Sequence, residues 1–242
     1  MPALYVYGIV AADHPCEISG LEAVGEAARP VQRIDDSDGR LAAVVSDAPD
    51  DLRAKRRDLL RHEEVLEVLG RQGTVLPMRF GVVSPDQSTF LENLRRDGDR
   101  YLQLIDELAD RVEFNVKAFP DEDTMVASSA SEAAVKKARD EVRRHPTYDA
   151  QVRLGQVVAD VVEVRHRSCA DRVLRRLRPI AVQSAPATPV KGCALNAAFL
   201  VDQEAVNRFT TAVDQLQEES GADVVLQLTG PLPPYSFVET GG

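Results

Sequence analysis

The side chains best able to do chemistry in this sequence are few and scattered. His166 and Cys169 stand three apart, a spacing that puts two metal ligands on one helix face, and His14 and Cys16, two apart, are a second His–Cys pair. A zinc centre would need both pairs to meet through the fold; a helical histidine and small buried thiols are the simpler expectation. His62-Glu63-Glu64 is a fragment of a zinc-protease helix, but no second histidine follows at the position that a metal ligand requires. Asp35, Asp36 and Asp38 imitate the start of a calcium loop without its downstream Glu, so Asp35–Gly39 predicts a polar hairpin turn. Neighbouring carboxylates at Glu63-Glu64 and Glu218-Glu219 fall on solvated helix faces, with nothing to separate them into an acid and a base. Neither GxxxxGK[ST] nor GxGxxG occurs to cradle phosphate, and there is no GxSxG elbow. The residues predict no catalytic, cofactor-binding or metal-binding position.

The elements that would have to position any site alternate strand and helix. Leu4–Val10 is aromatic and β-branched, with Gly8 marking a bulge or a close approach. Val31–Ile34 and Leu41–Ser46 predict a hairpin. A helix is expected from about Asp50 to Leu69, then a bent, short or edge strand over Thr74–Val83 with Pro77 inside it. Ser84-Pro85-Asp86-Gln87 reads as a helix start with Ser84 at the N-cap, opening one helix whose stripe runs from Phe90 to Ala109. Val112–Phe119 alternates as a strand. Helices are expected over Ser129–Arg144, capped by Ser129, and over Tyr148–Arg178. Pro179–Lys191 predicts a loop, Cys193–Val201 a strand, and the residues after Asp202 a helix stopped by Gly221. In the last strand Val224, Leu226 and Leu228 alternate with polar neighbours. Gly230, Pro231, Pro233 and Pro234 then predict its end, with Tyr235 and Phe237 pinning the tail against the C-terminal domain. This order predicts an α+β chain of two domains, residues 1–110 and 111–242, the second holding a helical region at about 129–178.

Composition narrows the class. Hydrophobic residues at 44% and charged residues at 28% over 242 residues suit globular domains. A formal charge of −10 argues against a protein built to coat nucleic acid. The charge is uneven: residues 132–178 hold 12 basic and 7 acidic side chains, net +5, which leaves −15 elsewhere. A solvated helix pair explains this more simply than an acidic partner. Three dispersed cysteines fit a reducing compartment. The opening MPALYVYGIVAADHP has no basic leader, and no run of about 18 apolar residues could span a membrane, so a cytoplasmic protein is expected.

Several stretches together resemble the gas vesicle protein F and L family, GvpF/GvpL. They are the Leu4–Ile9 strand, His62-Glu63, and Val75-Leu76-Pro77-Met78-Arg79-Phe80-Gly81. Leu195–Val201 and the ending Leu228–Val238, with its Thr229-Gly230-Pro231-Leu232-Pro233-Pro234-Tyr235-Ser236-Phe237, complete the set in order along nearly the whole chain. One departure is Leu232, where members often carry a larger aromatic, usually Trp. The resemblance implies an N-terminal ferredoxin-like domain and a C-terminal α+β domain of modified ferredoxin-like form with a long helical insertion. It implies a minor component or assembly factor of gas vesicles, on the vesicle or in the cytoplasm. Its partner would be the small hydrophobic shell protein, GvpA, and possibly other gas vesicle proteins, with neither catalysis, cofactor, nucleic acid nor membrane. The motif residues Leu76–Gly81, Gly230, Pro231, Pro233, Pro234, Tyr235 and Phe237 would be structural or partner contacts. A small-molecule-sensing ferredoxin-like module is the rival, and a buried polar pocket near Arg79 would support it.

Overall fold

Tyr5, Val6, Tyr7 and Val10 are fully enclosed in the strand Leu4–Ala11 (β1), which is central to the first of two units. The structure is a computed structural model that describes residues 3–25 and 30–238. Gln32–Asp35 (β2) and Leu41–Asp47 (β3) form the expected hairpin, and β3 pairs antiparallel with β1. In the turn between them the Asp36 carboxylate accepts from Arg40 N at 2.9 Å and Leu41 N at 3.3 Å, so it serves the backbone. The β1–β3 register slips between Val6 and Gly8, a β-bulge at the expected glycine. A Cβ on Gly8 would lie 2.8 Å from Val75 Cγ2 and 3.0 Å from the Leu76 carbonyl oxygen, so only glycine lets the next strand this close.

Arg56–Gln72 (α1) buries Val65, Leu66 and Leu69 on one stripe, and Val75–Pro77 (β4) then pairs antiparallel with the other side of β1. The sheet order β2-β3-β1-β4 is that of the split βαβ arrangement, although the described residues between β1 and β2 form no helix. The bent strand expected over residues 74–83 is two strands. β4 stops at Pro77, which has no N–H to give, and Val83–Ser84 (β5) rejoins the same edge of β1.

Helix starts differ from expectation by small shifts of cap. Asp86, rather than Ser84, caps Gln87–Arg96 (α2), accepting from Thr89 N at 2.8 Å. Bonds from Ser88 and then Thr89 hold the Asp86 carboxyl at a pKa of about 2. The single helix expected beyond it breaks at Asp97 into α2 and Gly98–Leu108 (α3).

The second unit opens in Arg111–Pro120 (β6) and continues through Glu122–Ser129 (α4), Ala133–Arg144 (α5) and Tyr148–Leu177 (α6). Ser129 does not cap a helix: its hydroxyl donates to Val126 O at 2.7 Å at the end of α4. Gln183–Pro186 (β7) is a strand where a loop was expected, paired antiparallel with Leu195–Asp202 (β8). Val206–Ser220 (α7) and Val224–Leu232 (β9) follow. The order β7-β8-β6-β9 repeats the split βαβ pattern, with α4–α6 filling the first crossover. Phe209 stacks on Phe114 at 5.2 Å and meets Phe199 at 5.4 Å to centre its core.

The first unit comprises residues up to Glu113 together with the segment from Pro231 onward, and the second is Phe114–Gly230. Two expectations about the tail are thereby corrected. The last strand runs on through Gly230 and Pro231 to Leu232, because β9 is an edge strand and an edge tolerates proline. The aromatics that follow, in the short helix Tyr235–Val238 (α8), belong to the first unit.

Candidate functional site

The two sequence motifs, far apart along the chain, meet in the first unit around His62. Tyr5 and Tyr7 are two residues apart on β1 and their rings touch edge to face at 4.9 Å. His62 comes from the buried stripe of α1, stacks on Tyr7 at 5.6 Å and meets Phe80 at 5.8 Å.

The polar atoms of this aromatic cluster form one chain of hydrogen bonds. His62 Nε2–H donates to Met78 O at 3.0 Å, which leaves Nδ1 to accept from the Tyr5 hydroxyl at 2.8 Å. The Tyr5 oxygen in turn accepts from Gly81 N at 3.4 Å. Helix α1 and strand β1 thus clamp the loop Met78–Val82 from both ends. Burial lowers the His62 pKa and raises that of Tyr5, so both stay neutral. Tyr7 holds a different loop: its oxygen accepts from Val24 N at 2.9 Å and lies 3.2 Å from Ser46 Oγ.

The loop itself is built by its sequence. Leu76 and Pro77 are buried at the end of β4, and Met78 N donates to Tyr7 O at 2.8 Å. Arg79 turns outward, Val82 N reaching back to Arg79 O at 3.3 Å, while Gly81 takes a φ of +96° that a side chain would strain. Arg79 is exposed in this loop, outside both strands, rather than inside a bent strand as expected. Phe80 is half-buried against the core.

The second motif arrives from the other end of the chain. Gly230 has a φ of +141°; Pro231 is exposed, Pro233 half-buried and Pro234 buried. Tyr235 N donates to Pro233 O at 2.8 Å and Phe237 N to Pro234 O at 3.1 Å, which winds the tail into α8. Tyr235 packs on the same core as Phe80, and Phe237 is buried. Sequence reasoning missed the residue that fastens this tail. Glu113, 4% exposed, takes Ser236 N on one carboxylate oxygen and the Ser236 hydroxyl on the other, both at 2.7 Å. It lies on the polar phase of the strand, opposite Phe114, Val116 and Ala118, so the alternation of β6 gave no sign that it is buried. Burial raises its pKa, with the two serine bonds opposing.

Of the suspected metal pairs, His14 and Cys16 do other work. His14 Nε2–H donates to Leu69 O at 3.2 Å and Nδ1 accepts from Cys16 N at 3.1 Å, so both ring nitrogens are used. His166 and Cys169 lie on α6 in the second unit, and His14 and Cys16 in the first. Among the described residues no group of three His, Cys, Asp or Glu could hold a metal ion. Chemically, the site around His62 can hold a loop and a tail in place; its acid–base groups are buried and spent on each other.

Comparison with known proteins places this arrangement. The family model described as Gas vesicle synthesis protein GvpL/GvpF matches residues 3–239. The chain is 39% identical to Gas vesicle protein F of Streptomyces sp. (strain CB03234), over 97% of this chain and 99% of that protein. Its fold matches the crystal structure of GvpF from Anabaena sp. PCC7120 with a TM-score of 0.85 and 26% identity, each chain covered fully at 100%. The crystal structure of GvpF from Microcystis aeruginosa aligns with a TM-score of 0.79 at 24% identity, over 99% of this chain and 100% of that one.

Proposed function

We propose a role in gas vesicle assembly for this chain, which belongs to the Gas vesicle synthesis protein GvpL/GvpF family. It acts as a minor component or assembly factor that binds the small hydrophobic shell protein, GvpA, without turnover and without a held cofactor. The observation that carries this reading is the family match from residue 3 to residue 239. The spending of His62, Tyr5 and Glu113 on internal bonds supports a binding role over a catalytic one.

A shell subunit that is insoluble by itself needs a partner offering strand edges or apolar surface while it waits to assemble. Both sheets end in open edges, and on β9 Val225 is 51% exposed. Among the described residues no helix is long and apolar enough to cross a membrane. The site of action is the vesicle surface or the surrounding cytoplasm. A small-molecule sensor would need a buried polar pocket near Arg79, and that side chain is exposed.

The test is co-expression with the shell subunit and affinity capture at low and high salt. Capture at both supports apolar or strand-edge contact, whereas capture at low salt alone moves the contact to the basic helices. No capture at either salt overturns the partner assignment.

A further inference from the structure

Within the second unit, α6 and the start of β9 enclose a groove of about 390 Å³, the scale of a small-ligand site. Arg165, Arg172 and Arg175 line it from one face of α6, at helical spacings of seven and three. Its floor is apolar and well covered: Met125 of α4, Cys169 of α6 and Val224 of β9 are each less than a tenth exposed.

The guanidinium groups are partly set in place. Arg165 is held by Glu132 at 2.9 Å and Arg172 by Ser220 Oγ at 3.1 Å. Arg175 makes no hydrogen bond or ion pair among the described residues. Among the described residues one carboxylate, Asp223, lines the groove against these three cations, and Glu132 pairs with Arg165. In a chain of net charge −10, the groove gathers three cationic side chains with directional donors.

We propose that this groove binds an acidic segment of a partner protein, its carboxylates on the arginines and an apolar side chain between them on the Met125–Cys169–Val224 floor. A free phosphate would engage the arginines and leave that floor uncovered. Among the described residues no aromatic lines the groove to stack a base, which sets it apart from single-strand nucleic-acid platforms. The inference goes beyond shell binding, and its test uses no shell protein, so either can fail alone.

The probe is a short fluorescein-labelled peptide of alternating Glu and Leu, titrated against the full chain by anisotropy at low salt. Arg175→Glu should weaken binding by about tenfold or more. Arg167→Glu, the same charge change at a 69%-exposed α6 residue paired with Glu163, should change it by less than about twofold. Melting curves of both variants establish that each is folded. The chain has three methionines, so methyl labelling gives a local readout: the Met125 resonance should shift on peptide addition while Met78 stays fixed. Absence of binding, equal loss in both variants, or an unmoved Met125 overturns the proposal. So does equal affinity for a peptide with Ser in place of Leu, or inorganic phosphate saturating the Met125 shift at lower concentration than the peptide.

Discussion

Tyr5, Tyr7 and His62 are the residues where the first unit is most sensitive to single atoms. Tyr5→Phe removes the donor to His62 Nδ1 and leaves a buried nitrogen unpaired, which should cost about 1–3 kcal/mol in a urea melt. Gly8→Ala should cost a similar ~1–3 kcal/mol, because the added methyl meets Val75 and the Leu76 carbonyl. Acid should act through the histidines. Burial lowers the pKa of His62 and His14 from 6.5, so the unfolded chain binds protons more readily than the fold. Their stabilisation is complete above pH 6.5 and is lost as pH falls below it through the folded-state values. The melting temperature should therefore drop on acidification below 6.5, and less steeply in His62→Gln. Glu113 has the opposite sign: its raised pKa disfavours the fold only as pH climbs above its ordinary 4.5. A melting temperature independent of pH across the histidine range would contradict the buried neutral network.

At the scale of elements, the tail and the strand that receives it form one device. Removing residues 231–242 takes Tyr235 and Phe237 out of the first unit and should lower its stability by several kcal/mol, as loss of buried aromatics does. Hydrogen exchange should show that loss in β1 and β4 rather than in β8. Unchanged protection there would mean a tail that contributes nothing to the fold. Much of the element order was legible because periodicity is a local signal: β1, β3, β6, β8 and α6 each carry their apolar pattern in their own residues. What was illegible depends on partners elsewhere in the chain. β7 is only Gln183–Pro186, without apolar alternation, and is a strand because β8 pairs with it. α4 begins inside the acidic run Asp121-Glu122-Asp123, which reads equally well as a turn. Glu113 as the anchor of Ser236 spans more than half the sequence, and no spacing rule reaches that far. The motif residues were found by resemblance, but their meeting around His62 needed the fold.

For the whole molecule, two sheets of the same strand order stand in one chain, each with open edges, and only the second crossover is expanded into a long helical region. Groups able to do acid–base chemistry, His62, Tyr5 and Glu113, instead hold a loop and the tail in place. That economy suits a protein whose work is to present surface, which is the role proposed in vesicle assembly. Arg79 and its exposed neighbours Val82 and Val83 are positioned on the surface by the clamped loop. Arg79→Glu should then cost at most about 1 kcal/mol of stability, as loss of an exposed arginine's contacts does, while reducing capture of the shell subunit. Equal loss of stability and capture would make Arg79 a folding residue. The most direct measurement is to delete this gene in a vesicle-forming cell and count vesicles by electron microscopy, with the wild-type gene restored as the control. The account predicts few or no vesicles after deletion and recovery on restoration; vesicles of normal number and shape in the deletion strain would contradict it.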